Sequence, residues 1–413
     1  MADLFEETFQ TNAYLVSKDA KGKVRCVRIW YEWSDSAHAY LLKRQSWQLN
    51  GKRIDHPDIP IKKGLMSRTL REQTQLQFNS KLKEYKDKGY KEIEEDPDTK
   101  TESTILNFLP EFITDNNEHI KPMLAKQEKK VTKREIFEDK IWLASRKING
   151  LRCLYYWDGK YIKTYSRGGE DYNLSTQHLT KNKELIKIFK KFPTLVLDTE
   201  LYKHGKSLQQ ISGAARMEKN AYDCDWLEMY CYDCFFTDRM HVNAMQRQLF
   251  LKAILEPLGV GFNPNKQWKE DELQIQLVPQ IKVKGWENIE KLHNEYVSEG
   301  FEGVVLRDPT KPYKPNSRGN QMIKVKHYLD ETYRVIDYEL GLRGSEDMVF
   351  VMQMNDGRTF KASPMGDRAT KQDYVDRFDE CYKNHLGDCK YFEYSDTGIP
   401  CQPKFSVFRF DLE

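Results

Sequence analysis

Alternation of apolar and polar side chains dominates the first fifty residues. Val27, Ile29, Tyr31 and Trp33 alternate with Arg28, Trp30 and Glu32, the period-two signature of a strand with one buried face. A second aromatic run from Tyr40 to Trp47 ends at the turn pair Asn50-Gly51, so residues 12–50 are read as strands. The period then becomes helical. Phe78, Leu82 and Tyr85 fall on one helical face, Thr69 and Glu72 can form a capping box, and Gly89 supplies a stop. These elements predict a small α+β unit, and the acidic, proline-bearing stretch 94–100 after it reads as a surface linker.

From about residue 120 strands interleave with helices. Residues 142–145, 151–157 and 161–166 are strand-like, with Asp158-Gly159 turning between the last two. A short amphipathic helix covers 183–191, an apolar strand 194–202 carries Asp198 and Glu200, and an aromatic strand covers 227–236. Helices are expected at 242–256 and 289–298. The last 85 or so residues differ again: strands at 333–340, 348–354, 359–363, 390–394 and 405–410, with a helix at 370–383. Five strands and one helix in so short a span predict a small barrel of the oligonucleotide-binding (OB) type.

At 413 residues the chain exceeds one ordinary core, and about 2 to 4 domains are expected. No run of about 18 apolar residues occurs, and the first seven residues are acidic where a secretory signal would be basic and then apolar. No membrane partner is expected, and the cytoplasm or nucleus is the expected compartment. Eight dispersed cysteines suit reduced thiols there. The net charge of +3, from 66 basic and 63 acidic side chains, removes any bulk electrostatic argument for nucleic acid. Local clusters such as Lys126, Lys129 and Lys130, or Lys187, Lys190 and Lys191, remain able to face phosphates.

Several familiar sites are excluded. Gly205-Lys206-Ser207 has the tail of a P-loop, but Glu200 stands where the first glycine is needed. Cys231 and Cys234 sit in a strand with no second pair at zinc spacing, so a buried structural role is read for them. What remains is an ordered series. It runs from Lys147-Ile148-Asn149-Gly150-Leu151-Arg152 through Ser166-Arg167-Gly168-Gly169, Asp198-Thr199-Glu200-Leu201 and Tyr230-Cys231-Tyr232-Asp233 to Phe301-Glu302-Gly303 and Ile323-Lys324-Val325-Lys326. A lysine beside a tight glycine turn, with an arginine five residues on, can place an amine and a cation on one phosphate chain. The whole series resembles the covalent nucleotidyltransferase superfamily of ATP-dependent DNA ligases, RNA ligases and mRNA capping enzymes. Pro122-Met123-Leu124-Ala125 and Ile211-Ser212-Gly213-Ala214 make the DNA ligases the best match, especially the compact virus- and phage-type enzymes.

That resemblance implies a multidomain α+β protein. It would have an N-terminal DNA-binding domain at 1–110, an ATP-grasp-like adenylation domain at 120–326 and an OB-fold barrel at 327–413. It implies a monomeric, virus- or phage-encoded enzyme that uses ATP and Mg²⁺ to seal nicks in double-stranded DNA. Lys147 would attack the α-phosphate, with Lys324, Lys326 and Arg152 as the surrounding cations that favour a neutral amine and hold the phosphate. Glu200 would contact the ribose or the metal and Glu302 the metal, while Tyr232 would stack on adenine. Arg167 and Arg318 would engage phosphates, and Arg409 would do so from the terminal motif Arg409-Phe410-Asp411-Leu412.

There are departures. Asn149 stands where the family usually has Asp, Ser145 where many members have Glu, and Leu412 where a lysine is typical. Lys62-Lys63-Gly64, Arg68-Thr69, Glu72-Gln73 and the residues from Lys86 to Tyr90 resemble a WGR-type DNA-binding module that lacks its Trp-Gly-Arg triplet. The competing readings are an RNA ligase, a capping guanylyltransferase, or a catalytically silent nucleic-acid-binding protein. Retention of Lys147, Glu200 and Glu302 weighs against the last.

Overall fold

The structure is a computed structural model, and it describes residues 10–19, 22–65, 67–109, 119–217, 224–269, 272–326, 328–341 and 344–412. The acidic start of the chain, and with it the reading of residues 1–7, lies outside the described residues.

The predicted N-terminal strands form an antiparallel meander of Asn12–Lys18, Val24–Ser34 and Ala39–Gln48 within a six-stranded sheet. The alternation in the sequence sets its faces. Val27, Ile29 and Tyr31 bury against Phe78, Leu82 and Tyr85 of the helix Leu70–Asp87. That helix begins at a complete capping box, in which the Thr69 hydroxyl accepts from the Glu72 amide and the Glu72 carboxylate accepts from the Thr69 amide. Gly89, at φ 89°, turns the chain out of it.

Residues 94–100 are not a solvated linker. Arg53 donates to Asp96 at 2.7 Å and to Asp98 at 2.8 Å, while Trp47 Nε1 and the Asn50 amide donate to Asp98. A helix that the sequence pattern did not predict, Glu102–Phe108, follows and buries Ile105 against Val16, Cys26 and Trp47. The acidic run is retained by one arginine 43 residues upstream, a pairing invisible to local composition.

The middle of the chain builds two five-stranded sheets. One runs in the order Ile162–Ser166, Leu151–Trp157, Leu195–Tyr202, Glu228–Phe236, Ile275–Leu277, and the other Ile281–Val283, Trp142–Lys147, Gly303–Arg307, Met322–Lys326, Lys126–Gln127. They share one large core that includes Trp142, Tyr155, Leu197, Tyr230 and Val304. Cys153, Cys231 and Cys234 are buried in the first sheet, as the structural reading of the C-x-x-C pair expects.

The strands Leu329–Gly341, Gly344–Gln353, Thr359–Pro364, Lys404–Phe408 and Leu386–Tyr391 close a five-stranded barrel around Val335, Phe350, Met352 and Phe405. The mixed α+β class with a C-terminal barrel is therefore observed. The barrel helix is shorter than predicted. Arg368–Asp376 ends early, and a wide turn over Phe378–Tyr382 delivers Phe378 to the barrel core. The predicted strand 390–394 is shifted to Leu386–Tyr391, so that residues 392–396 leave the barrel. Among the described residues no helix is long and apolar enough to cross a membrane.

Candidate active site

The two middle sheets face each other across an open pocket of about 490 Å³, and the loop Ile148–Gly150 carries the chain from one sheet to the other. Gly150 has a steric reason to be glycine. A Cβ there would lie 2.3 Å from the Leu201 carbonyl oxygen and 2.8 Å from Cγ of Glu200. The loop can therefore press against the Glu200 strand only without a side chain at 150.

Register places the charged groups. Lys147 and Lys326 are both cross-strand partners of Gly303, and the Glu302 amide donates to the Lys147 carbonyl at 3.0 Å. A Cβ at position 303 would lie 2.2 Å from the Val325 carbonyl oxygen, so the residue that aligns the two lysine strands is held to glycine. The two ammonium groups pair with the two oxygens of the Glu302 carboxylate, Lys147 with Oε2 and Lys326 with Oε1. Lys324 lies further along the same strand, opposite Val305, and lines the same pocket. Burial, then the neighbouring Lys326 and Lys147 charges, bring its amine down to about 8.

Glu200 comes from the facing sheet. Burial pushes its carboxyl up to about 7, although Lys147 and Arg152 pull the other way. The Tyr232 hydroxyl donates to it at 3.3 Å. Tyr232 is in the pocket wall with the Arg307 guanidinium 5.1 Å from its ring centroid. Arg167 and Arg318 stand at the rim, exposed. Burial of part of the side chain and the Arg318 and Arg152 charges nearby lower the Arg167 pKa, as expected where cations crowd together. Among the described residues Arg167 forms no ion pair, whereas Arg318 donates to the Ala125 carbonyl at 3.0 Å.

Arg152 is placed differently from a free phosphate ligand. Its Nε donates to Asp198 at 2.8 Å, its Nη2 pairs with the other Asp198 oxygen, and the Tyr313 hydroxyl donates to that same carboxylate at 2.6 Å. Arg152 thus shapes the wall with its guanidinium already engaged. Arg409 is not brought to the pocket. It is held on the barrel by Asp388 and Asp411, at 3.2 and 2.8 Å.

Sequence reasoning named Asp198 without giving it a role, and it missed Tyr313 and the arginine pair around Asp233. A role for Asp198 could have been found, since its strand alternates it with Glu200. Tyr313, 115 residues away, carries no local signal. Ser145 accepts from Arg307 Nη1 at 3.0 Å, and both line the pocket.

The residues present can be tested against a divalent cation. Mg²⁺ is usually held by one or two carboxylates with substrate phosphates and water. Glu200, which lacks an ion-pair partner among the described residues, fits such a role, because a cation would offset the burial that opposes its charge. Glu302 is committed to two lysines. No cluster of three or more His, Cys, Asp or Glu suited to a metal occurs among the described residues, so substrate phosphates would have to complete the shell.

Comparison with known proteins places the chain beside the ligases. The ATP dependent DNA ligase domain family matches residues 122–326. A DNA ligase of African swine fever virus (isolate Pig/Kenya/KEN-50/1950) is 28% identical over 313 residues, covering 71% of this chain and 70% of the relative. A DNA ligase of Archaeoglobus fulgidus is 27% identical over 186 residues, covering 45% and 32%. Among solved structures, "Pmar-Lig_Pre." superposes with a TM-score of 0.58 at 18% identity, covering 70% of this chain and 68% of its own. A Lig E DNA ligase described as binding DNA with a minimal scaffold has a TM-score of 0.50 at 17% identity, covering 70% and 98%. At these identities the two structures speak to the fold alone.

Proposed function

Because the chain belongs to the family of ATP-dependent DNA ligases, enzymes that use ATP and a divalent metal on nicked DNA, we propose that the pocket between its two middle sheets is the adenylation site, with Lys147 as nucleophile. The observation that carries this is the convergence of Lys147, Lys324 and Glu200 on one open cavity from strands far apart in sequence, with Glu302 and Lys326 joined to Lys147 behind its wall by ion pairs.

Joining a 5′-phosphate to a 3′-hydroxyl is slow because the phosphate lacks a leaving group, and covalent catalysis divides the problem into easier displacements. Lys147 Nζ attacks the α-phosphorus of ATP, the bond to the β-phosphate oxygen breaks, and pyrophosphate leaves. The AMP then passes to the DNA 5′-phosphate, and the 3′-hydroxyl displaces it. For the first step Lys147 must leave its ion pair with Glu302 and lose a proton to solvent through the open pocket, so that its lone pair is free. Lys326 keeps Glu302 neutralised while this happens, and Lys324 supplies positive charge to the equatorial oxygens of the α-phosphate. Mg²⁺ supplies Lewis-acid stabilisation of phosphate charge, and Glu200, with Glu302 once released, would hold it. Tyr232 offers its ring to adenine, and Arg167 and Arg318 at the rim offer unshared N–H groups to phosphates. Arg409 reaches a phosphate only if the barrel turns.

The same reading divides the chain into a DNA-binding domain at 1–110, an adenylation domain at 120–326 and an OB domain at 327–413. The enzyme acts as a monomer in cytoplasm or nucleus and is virus-encoded, a view supported by the viral relatives. Incubation with α-labelled ATP or GTP, followed by peptide mapping and a nick-sealing assay, tests it. Label from ATP on Lys147 and sealed duplex DNA are expected. Label from GTP alone would point to a guanylyltransferase, and sealing of RNA but not DNA nicks to an RNA ligase.

A further inference from the structure

The segment that follows Tyr391 touches the domain that holds the pocket at three points, two of them on the stretches that carry Lys147 and Lys324. Lys326 Nζ lies 5.1 Å from the Phe392 ring centroid. Asn149 Nδ2 donates to both carboxylate oxygens of Glu393 at 3.1 Å. Ser207, the N-cap of the helix Leu208–Ala215, donates to Asp396 at 3.1 Å. The central contact is made by the residue two positions after Lys147.

We propose that Asn149 and Glu393 are a matched pair through which the barrel positions the Lys147 loop. This rests on the adenylation-site reading above. A carboxylate only accepts hydrogen bonds, whereas an amide can donate. With Glu393 presented by the barrel, an aspartate in place of Asn149 would bring two carboxylates within about 3 Å, a separation at which both do not ionise. Asn149 turns that repulsion into a charge-assisted hydrogen bond. Glu393 is thus a positioning residue that acts on the nucleophile's loop through its neighbour.

The test uses the full chain as wild type, N149D, E393Q and the exchanged pair N149D/E393Q. Two quantities are measured: melting temperature, and single-turnover sealing of a nicked duplex by pre-adenylated enzyme at a temperature where circular dichroism shows every variant folded. N149D is expected to seal about tenfold more slowly, equivalent to about 1.4 kcal/mol, and to melt roughly 2–4 °C lower. E393Q should stay within about threefold of wild type, because its amide oxygen still accepts from Asn149. In the exchanged pair the donor and acceptor swap sides: the amide introduced by E393Q donates to the carboxylate introduced by N149D. Both rate and melting temperature should then recover most of the loss. An exchanged pair no better than N149D in either measurement overturns the proposal, as does N149D with wild-type values in both. A wild type that takes no label from ATP and seals nothing refutes the adenylation reading instead, and the melting temperatures still decide whether the pair exists.

Discussion

Two clusters in this protein have the same charge pattern and opposite surroundings. Beneath the first middle sheet, Asp233 sits between Arg247, at 2.8 Å, and Arg307, at 3.3 Å, with all three side chains at most 3% exposed. At the pocket wall, Glu302 sits between Lys147 and Lys326, whose side chains are 19% and 21% exposed. Each is one carboxylate shared by two cations. The guanidinium pair cannot lose a proton and is walled in, so it cross-links the strand Glu228–Phe236 to the helix Ala244–Leu255 and the strand Gly303–Arg307. The amine pair faces an opening, and an amine can shed its proton and become a nucleophile. Cation type and access, rather than charge count, separate the structural cluster from the chemical one.

Removing Lys147, the proposed nucleophile, tests the difference most severely. K147A should lower self-adenylation by roughly a thousandfold or more, measured by label from α-labelled ATP, while folded D233A protein should still take label. Stability should separate the clusters in the reverse order. D233A leaves two guanidiniums buried without their partner and is expected to cost roughly 3–5 kcal/mol in denaturant unfolding. E302A should cost less than about 2 kcal/mol, because the freed lysines can swing into water, yet it should cut adenylation by roughly a hundredfold. Equal stability losses for D233A and E302A would erase the distinction. A gentler probe is R247K, which keeps the charge but loses the two-pronged contact and should cost roughly 1–3 kcal/mol.

The two clusters should also differ in their response to pH. Burial pushes the Asp233 carboxyl up, but Arg247 and Arg307 outweigh it and hold it below the usual range. Its stabilisation is present above the unfolded value and lost only as pH falls through the lower folded value, so this cluster should not respond between pH 5 and 9. The pocket should. Glu200, raised from 4.5 to about 7, favours the folded state when protonated, and this contribution is lost as pH rises through about 7. The melting temperature of E200Q relative to wild type should therefore be level near pH 4.5, climb as pH rises, and plateau above about 7. Lys324, lowered from 10.5 to about 8, should give kcat/KM for ATP an alkaline limb near 8. K324R, whose charge persists, should move that limb upward.

The local pattern of side chains was sufficient for most elements, because a two- or four-residue period is written wherever one face is buried. The capping box at Thr69, the helix Lys183–Lys191 and the strand Leu151–Trp157 stand where the pattern puts them. It failed at residues 94–108 and at the end of the barrel helix, where partners distant in sequence decide. In the site, the ordered motifs around Lys147, Glu200, Glu302, Lys324 and Lys326 named the groups that meet in the pocket and behind its wall. They could not say that Arg152 is already engaged by Asp198, or that Arg409 stays on the barrel.

The sequence by itself thus determined the order of elements and the barrel at the end, since each depends on spacing along one stretch of chain, and its resemblance to a family singled out the charged groups. Only tertiary structure decided which charge meets which. Glu302 reaches Lys147 because both strands align on Gly303, and Asn149 reaches Glu393 across 244 residues because the barrel packs against the pocket. Register and domain packing are long-range outcomes of burial, and no local period encodes them.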